Sequence, residues 1–100
     1  MKAIYKIPID PVGKIVDITE KSLEEQLKEL QHYVGGYIET YTVGDVVIIC
    51  NSDSKLIDGM QYNCTIDKEH FVGAILAVGA NGDKFKDVPI DLEEWQKWIS

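Results

Sequence analysis

Residues 23–39 carry a helix pattern that stops at a double glycine and gives way at once to a strand pattern. Leu23, Leu27, Leu30 and Val34 recur at spacings of four, three and four, so they share one helix face, while Glu24, Glu25, Lys28, Glu29 and Gln31 lie mostly outside it. Ser22 offers an N-cap oxygen and Glu25 stands three residues on, as a capping box requires. Gly35 and Gly36 then end the helix, because the position just past a C-terminus often takes a positive φ that glycine reaches without a Cβ clash. That position also argues against a phosphate loop, since the dipole at a helix C-terminus repels anions. From Tyr37 the period falls to two, with Tyr37, Glu39, Tyr41 and Val43 on one face and Ile38, Thr40 and Thr42 on the other.

The flanking segments read as strands for the most part. Residues 4–9 and 14–18 form two short ones, punctuated by Pro8, Pro11 and Gly13. Gly44-Asp45 suits a two-residue hairpin turn that takes glycine first, and residues 46–50, apolar on both faces, suit a central strand. Residues 55–63 read as an irregular, solvent-facing loop around Gly59. The apolar run 71–78 fits a buried helix or a buried strand. Its flanking glycines favour the strand, followed by an Asn81-Gly82 turn into a strand at 84–88. Pro89 and Asp91 introduce a terminal helix whose Leu92, Trp95, Trp98 and Ile99 share a face. The expectation is one domain over residues 1–100, of class α+β: a mainly antiparallel sheet with one central amphipathic helix and a short C-terminal helix.

Composition narrows the function classes. At 100 residues, 45% hydrophobic and 27% charged, the chain has the profile of an ordered globular domain that needs no disulfide or metal to fold. Its formal charge is -7 and all of its cations are lysine. Duplex nucleic acid is therefore not an expected partner, because phosphate binding wants clustered cations and guanine readout wants the guanidinium fork. No apolar run approaches the ~20 residues that cross a bilayer. The N-terminal segment lacks a signal-peptide pattern, so a cytoplasmic address is expected, with Cys50 and Cys64 as reduced thiols.

The order strand, strand, capped helix, Val34-Gly35-Gly36-Tyr37-Ile38-Glu39, hairpin and small-residue strand resembles a family of small uncharacterised domains found largely in phage, plasmid and other mobile-element proteins. The matching residues also include Leu27, Leu30, Gln31, the strand 46–49, Lys55-Leu56, Asn63 and the run 72–79. The resemblance covers most of residues 1–88 and leaves the Trp-containing tail outside. It carries no established activity. It implies a mobile-element origin, in which small non-enzymatic proteins often counter host defence.

No residue set has the spacing of a catalytic centre. Nucleophile-elbow motifs are missing around Ser22, Ser52, Ser54, Cys50 and Cys64, and Glu24-Glu25 and Glu93-Glu94 are sequence neighbours that diverge around a helix. His32, Cys50, Cys64 and His70 lack the paired spacing of a zinc site, so neither a metal nor another cofactor is expected. Tyr37, Glu39, Tyr41, Gln61 and Asn63 are the candidate ligand residues, since bases stack on tyrosine and pair with carboxylate and amide groups. Trp95 and Trp98, three apart, are candidate anchors for a protein partner or for self-association, against the plainer role of packing their helix onto the sheet. The first expectation is a non-catalytic binding protein that sequesters a small nucleotide-like immune signal, with homo-oligomerisation placing the site at a subunit interface. The alternatives are a protein-binding inhibitor of a host defence or restriction enzyme, and a structural accessory domain.

Overall fold

The computed structural model describes residues 1–56 and 59–99. Along these run β1 (Lys2–Lys6), β2 (Lys14–Asp17), α1 (Leu23–Val34), β3 (Ile38–Val43), β4 (Val46–Asn51), a 3-10 turn (Ser54–Leu56), β5 (Tyr62–Ile66), β6 (Glu69–Val72), β7 (Ile75–Asn81), β8 (Lys84–Lys86) and α2 (Leu92–Ile99). The main sheet has the order β2-β1-β7-β4-β3, antiparallel throughout, and β8 continues it beside β7 beyond the end of β1. β5 and β6 form a separate hairpin. The class is α+β, as the patterning predicts.

The sheet is covered on both faces. On one, Leu30 and Val34 of α1 pack with Ala3, Val47, Ile49, Leu76 and Val78. On the other, the β5-β6 hairpin and α2 cover Ile4, Val46, Ile48, Ile75 and Ala77 through Cys64, Ile66, Phe71 and Trp95. β4 and β7 lie inside the sheet with a layer on each side, which is why their sequences are apolar at consecutive positions.

Both ends of α1 are made as its sequence dictates. Ser22 is extended, and its hydroxyl accepts from the Glu25 amide at 3.1 Å. Gly35 sits at φ +82°, and the amides of Gly35 and Gly36 both donate to the Gln31 carbonyl, at 2.8 and 3.0 Å. The two glycines serve different needs. Gly36 has no positive φ, but a Cβ there would stand 2.9 Å from Nδ2 of Asn51, the amide that donates to the Val34 carbonyl at 3.2 Å. The buried stripe differs from the expected one: Leu30 and Val34 are inside with Gln26, whereas Leu23 is 69% and Leu27 42% exposed. Leu23 and Leu27 instead line a recess with Asp83, Lys84 and Phe85, at the β7-β8 turn.

The larger departures fall after β4. The first strand begins at Lys2 and ends at Lys6, ahead of Pro8, in place of 4–9. The predicted loop 55–63 ends early, because Tyr62 and Asn63 already belong to β5; its positions 57 and 58 lie outside the described residues. The β5-β6 hairpin was not legible, because its turn, Asp67-Lys68, places two non-glycine residues at φ +50° and +69°. Residues 71–78 are not one strand: β6 ends at Val72, Gly73 takes φ +73°, and β7 starts at Ile75. The following turn is Gly82-Asp83, not Asn81-Gly82, since Asn81 pairs with Lys84, and β8 stops at Lys86. The Gly44-Asp45 turn is as predicted, closed by Val43 and Val46 with Gly44 at φ +62°.

Candidate functional site

The period-two pattern of β3 aims Glu39 and Tyr41 to the face shared with the β5-β6 hairpin. There the Tyr41 ring meets Phe71 of β6 edge to face, with centroids 5.9 Å apart. Beside this contact a cleft of about 150 Å³ opens, walled by Glu39, Thr40 and Tyr41 on one side and by Glu69, His70, Phe71 and Val72 on the other. Cys50, Ser52 and Ser54, from the end of β4 and the turn after it, form the floor. Asn51 shapes that floor: its Oδ1 accepts from the Asp53 amide at 2.8 Å, turning the chain between the two serines.

The polar groups are oriented by specific bonds. His70 Nδ1 shares a 2.7 Å hydrogen bond with the Thr65 hydroxyl, which in turn lies 2.5 Å from the Tyr62 hydroxyl. The Cys50 thiol donates to the Glu39 carbonyl at 3.7 Å. Two carboxylates, an imidazole, hydroxyls and two aromatic rings make a lining rich in acceptors, suited to a ligand that brings N–H and O–H donors. Carboxylate walls repel phosphate groups. The volume is below the roughly 300–1,000 Å³ of drug-sized pockets, so the cleft matches one ring or one sugar.

Of the ligand residues expected from sequence, Glu39 and Tyr41 line this cleft. Tyr37 stands one strand period before Glu39 and is 74% exposed, and Gln61 is exposed, with its carbonyl accepting from the Gly73 amide at 2.8 Å. Asn63 is buried and spent on the fold. Its Nδ2 donates to the carbonyls of Lys6 (2.9 Å) and Gly73 (2.7 Å), and its Oδ1 accepts from the Lys6 ammonium at 2.8 Å. Trp95 is 0% exposed, and its indole donates to the Val12 carbonyl at 2.8 Å, which fastens α2 to the β1-β2 loop. A Trp of this burial is worth about 3–5 kcal/mol to the fold against alanine, so it presents no surface to a partner. Trp98 is half-buried on the same helix, its indole 3.4 Å from Glu94 Oε1.

Of the cleft residues that patterning missed, Phe71 opens the apolar run 71–78 expected as a single strand, and Ser52, Ser54, Glu69 and His70 lie where patterning predicts no strand. A polar pair followed by Phe-Val after a charged Asp67-Lys68 step was the available signal for β6. His32 lies exposed on α1, and Cys64 is buried in β5 in the apolar cluster under the hairpin. Among the described residues no group of three or more His, Cys, Asp or Glu could hold a metal ion. Burial pushes the Cys64 thiol up to about 11, against the opposing pull of the Lys6 ammonium.

Fold and cleft together define a small α+β domain with an acceptor-lined recess at one sheet edge. The chain belongs to a domain family of unknown function, DUF3846, whose profile matches residues 1–100 and so takes in the tryptophan tail as well. No curated protein and no solved structure matches it. Among the described residues no helix is long and apolar enough to cross a membrane.

Proposed function

We propose that the domain is a mobile-element counter-defence protein of the host cytosol that binds and withholds a small nucleotide-like immune signal without chemistry. The convergence of Glu39 and Tyr41 with His70 and Phe71 in one recess carries this reading. A base or ribose fits the chemistry of the walls: exocyclic amines and sugar hydroxyls donate to Glu39 and Glu69, and the rings of Tyr41 and Phe71 offer apolar contact. Phosphates would lie outside the cleft. Sequestration is mass action, lowering the free signal below what its receptor needs.

The test is native mass spectrometry of the protein purified from phage-challenged cells, beside a thermal-shift panel of nucleosides and linear and cyclic nucleotides. Ligand at a hundredfold excess over Kd stabilises by about 2.7 kcal/mol, a rise in Tm of roughly 10 °C or more for a domain of this size. Glu39→Gln and Tyr41→Ala should each reduce that rise. A panel with no shift and no retained mass would end the sequestration reading. The inhibitor reading is favoured by a different observation, the exposed Leu23 and Leu27 beside Phe85 on α1. One host protein that copurifies with wild type and is lost with Leu27→Lys would select it instead.

A further inference from the structure

We propose that two copies of this chain pair through β3, joining their sheets and placing Glu39 and Tyr41 of both copies around one shared cleft. The two sheet edges differ in kind. β2 has four residues, with Lys14 and Asp17 at its ends and Pro11 and Gly13 before it. β3 has six, Ile38 to Val43, with no proline, no lysine and an unbroken register against β4. Among the described residues no strand pairs with β3 on its outer side. Edges are ordinarily blunted by charge, proline, a bulge or a covering segment, and an open one is a template for another strand.

The outward register of β3 is self-complementary, which points to a second copy as the occupant. The Ser52 amide donates to the Tyr37 carbonyl, so with period two Glu39, Tyr41 and Val43 face their bonds toward β4, while Ile38, Thr40 and Thr42 turn their amides and carbonyls outward. Antiparallel self-pairing must match these outward residues. Pairing Ile38 with Thr40 would set Glu39 opposite Glu39, two like charges. Pairing Thr40 with Thr42 would run Ile38 off the end of the second strand, opposite Gly44. Centring on Thr40 pairs Ile38 with Thr42 at both ends, uses the whole outward set, and sets each Glu39 beside the second copy's Tyr41 on the cleft face. Thr40 also lines the cleft, so the two recesses meet on the axis.

The pairing is read from mass, and the shared cleft rests on the small-ligand reading. Sedimentation of the full chain over a concentration series should give twice the 11.3 kDa of one chain, with Ile38, Thr40 and Thr42 amides protected from exchange. Thr40→Pro removes an outward amide and spares the bonds to β4, a position where edge proline is tolerated. Thr40→Lys sets two cations opposite each other on the axis. Both should give a folded monomer by circular dichroism, and if the proline variant does not fold, the lysine variant decides. A wild type of single-chain mass at every concentration overturns the pairing, as does a dimer that survives Thr40→Lys. With adenosine as probe, Thr40→Lys should weaken binding at least tenfold; unchanged binding in the monomer overturns the shared cleft. A dimer indifferent to adenosine and to the nucleotide panel keeps the pairing and removes the sequestration reading.

Discussion

The two faces of the sheet are covered by different means. On one, a single twelve-residue helix supplies the cover; it packs through Leu30 and Val34, is capped at both ends, and is tied by Gln26 and Glu29 to the backbone of Thr19 just before it. On the other, a short hairpin, a loop and an eight-residue helix are assembled from separate pieces, pinned by directed polar bonds: Asn63 to Lys6 and Gly73, and Trp95 to Val12. The one-helix cover leaves a recess at its first turns, beside Phe85 of β8. The cover built of pieces has its seam between β6 and the edge strand β3, and that seam is the cleft.

The contrast breaks most sharply at Asn63. Replacing it with alanine leaves the buried Lys6 ammonium with its 3.3 Å bond to the Ile7 carbonyl and takes a donor from two carbonyls, and should cost about 3–5 kcal/mol by urea denaturation, more than any exposed change on α1. Next in size comes Gly36→Ala, which forces Asn51 away from the Val34 carbonyl. About 2 kcal/mol is expected, together with a shifted NMR signal for the Asp53 amide; a neutral result would mean the glycine is not there for room. Ser22→Ala removes only a cap and should lose about 1 kcal/mol. A further effect, on the hairpin face, appears only at alkaline pH. Because burial raises the Cys64 thiol, the folded state holds a proton that the unfolded state releases between pH 9 and about 11, so stability present below pH 9 drains away through that window. Cys64→Ala should flatten that part of the denaturation profile relative to wild type, and parallel profiles would show that the thiol is not desolvated.

The same division explains what could be read without coordinates. Periodicity, Ser22 and the double glycine mark α1, and alternation with Gly44-Asp45 marks β3 and β4, because these elements are stabilised by local chemistry and one continuous apolar face. Glu39 and Tyr41 were legible for that reason. The β5-β6 hairpin was not: it turns through Asp67 and Lys68 in a conformation those residues rarely take, and its strands are short. Asn63 looked like a ligand residue because an amide in a supposed loop has no visible partner. Its partners lie in β1 and at Gly73, and the β1 contact spans 57 positions. Leu23 and Leu27 share a face with Leu30, yet they border an open recess at the β7-β8 turn, a placement that helical spacing does not encode.

The approach of Gly36 to Asn51 gives α1 a hold on the opposite face. One side chain closes the last helical carbonyl with its nitrogen and sets the Ser52–Ser54 floor with its oxygen. Fraying of the final turn and movement of the cleft floor are thus two ends of one lever. Occupancy of the recess should slow the exchange of the Gly35 and Gly36 amides, though neither glycine touches what is bound.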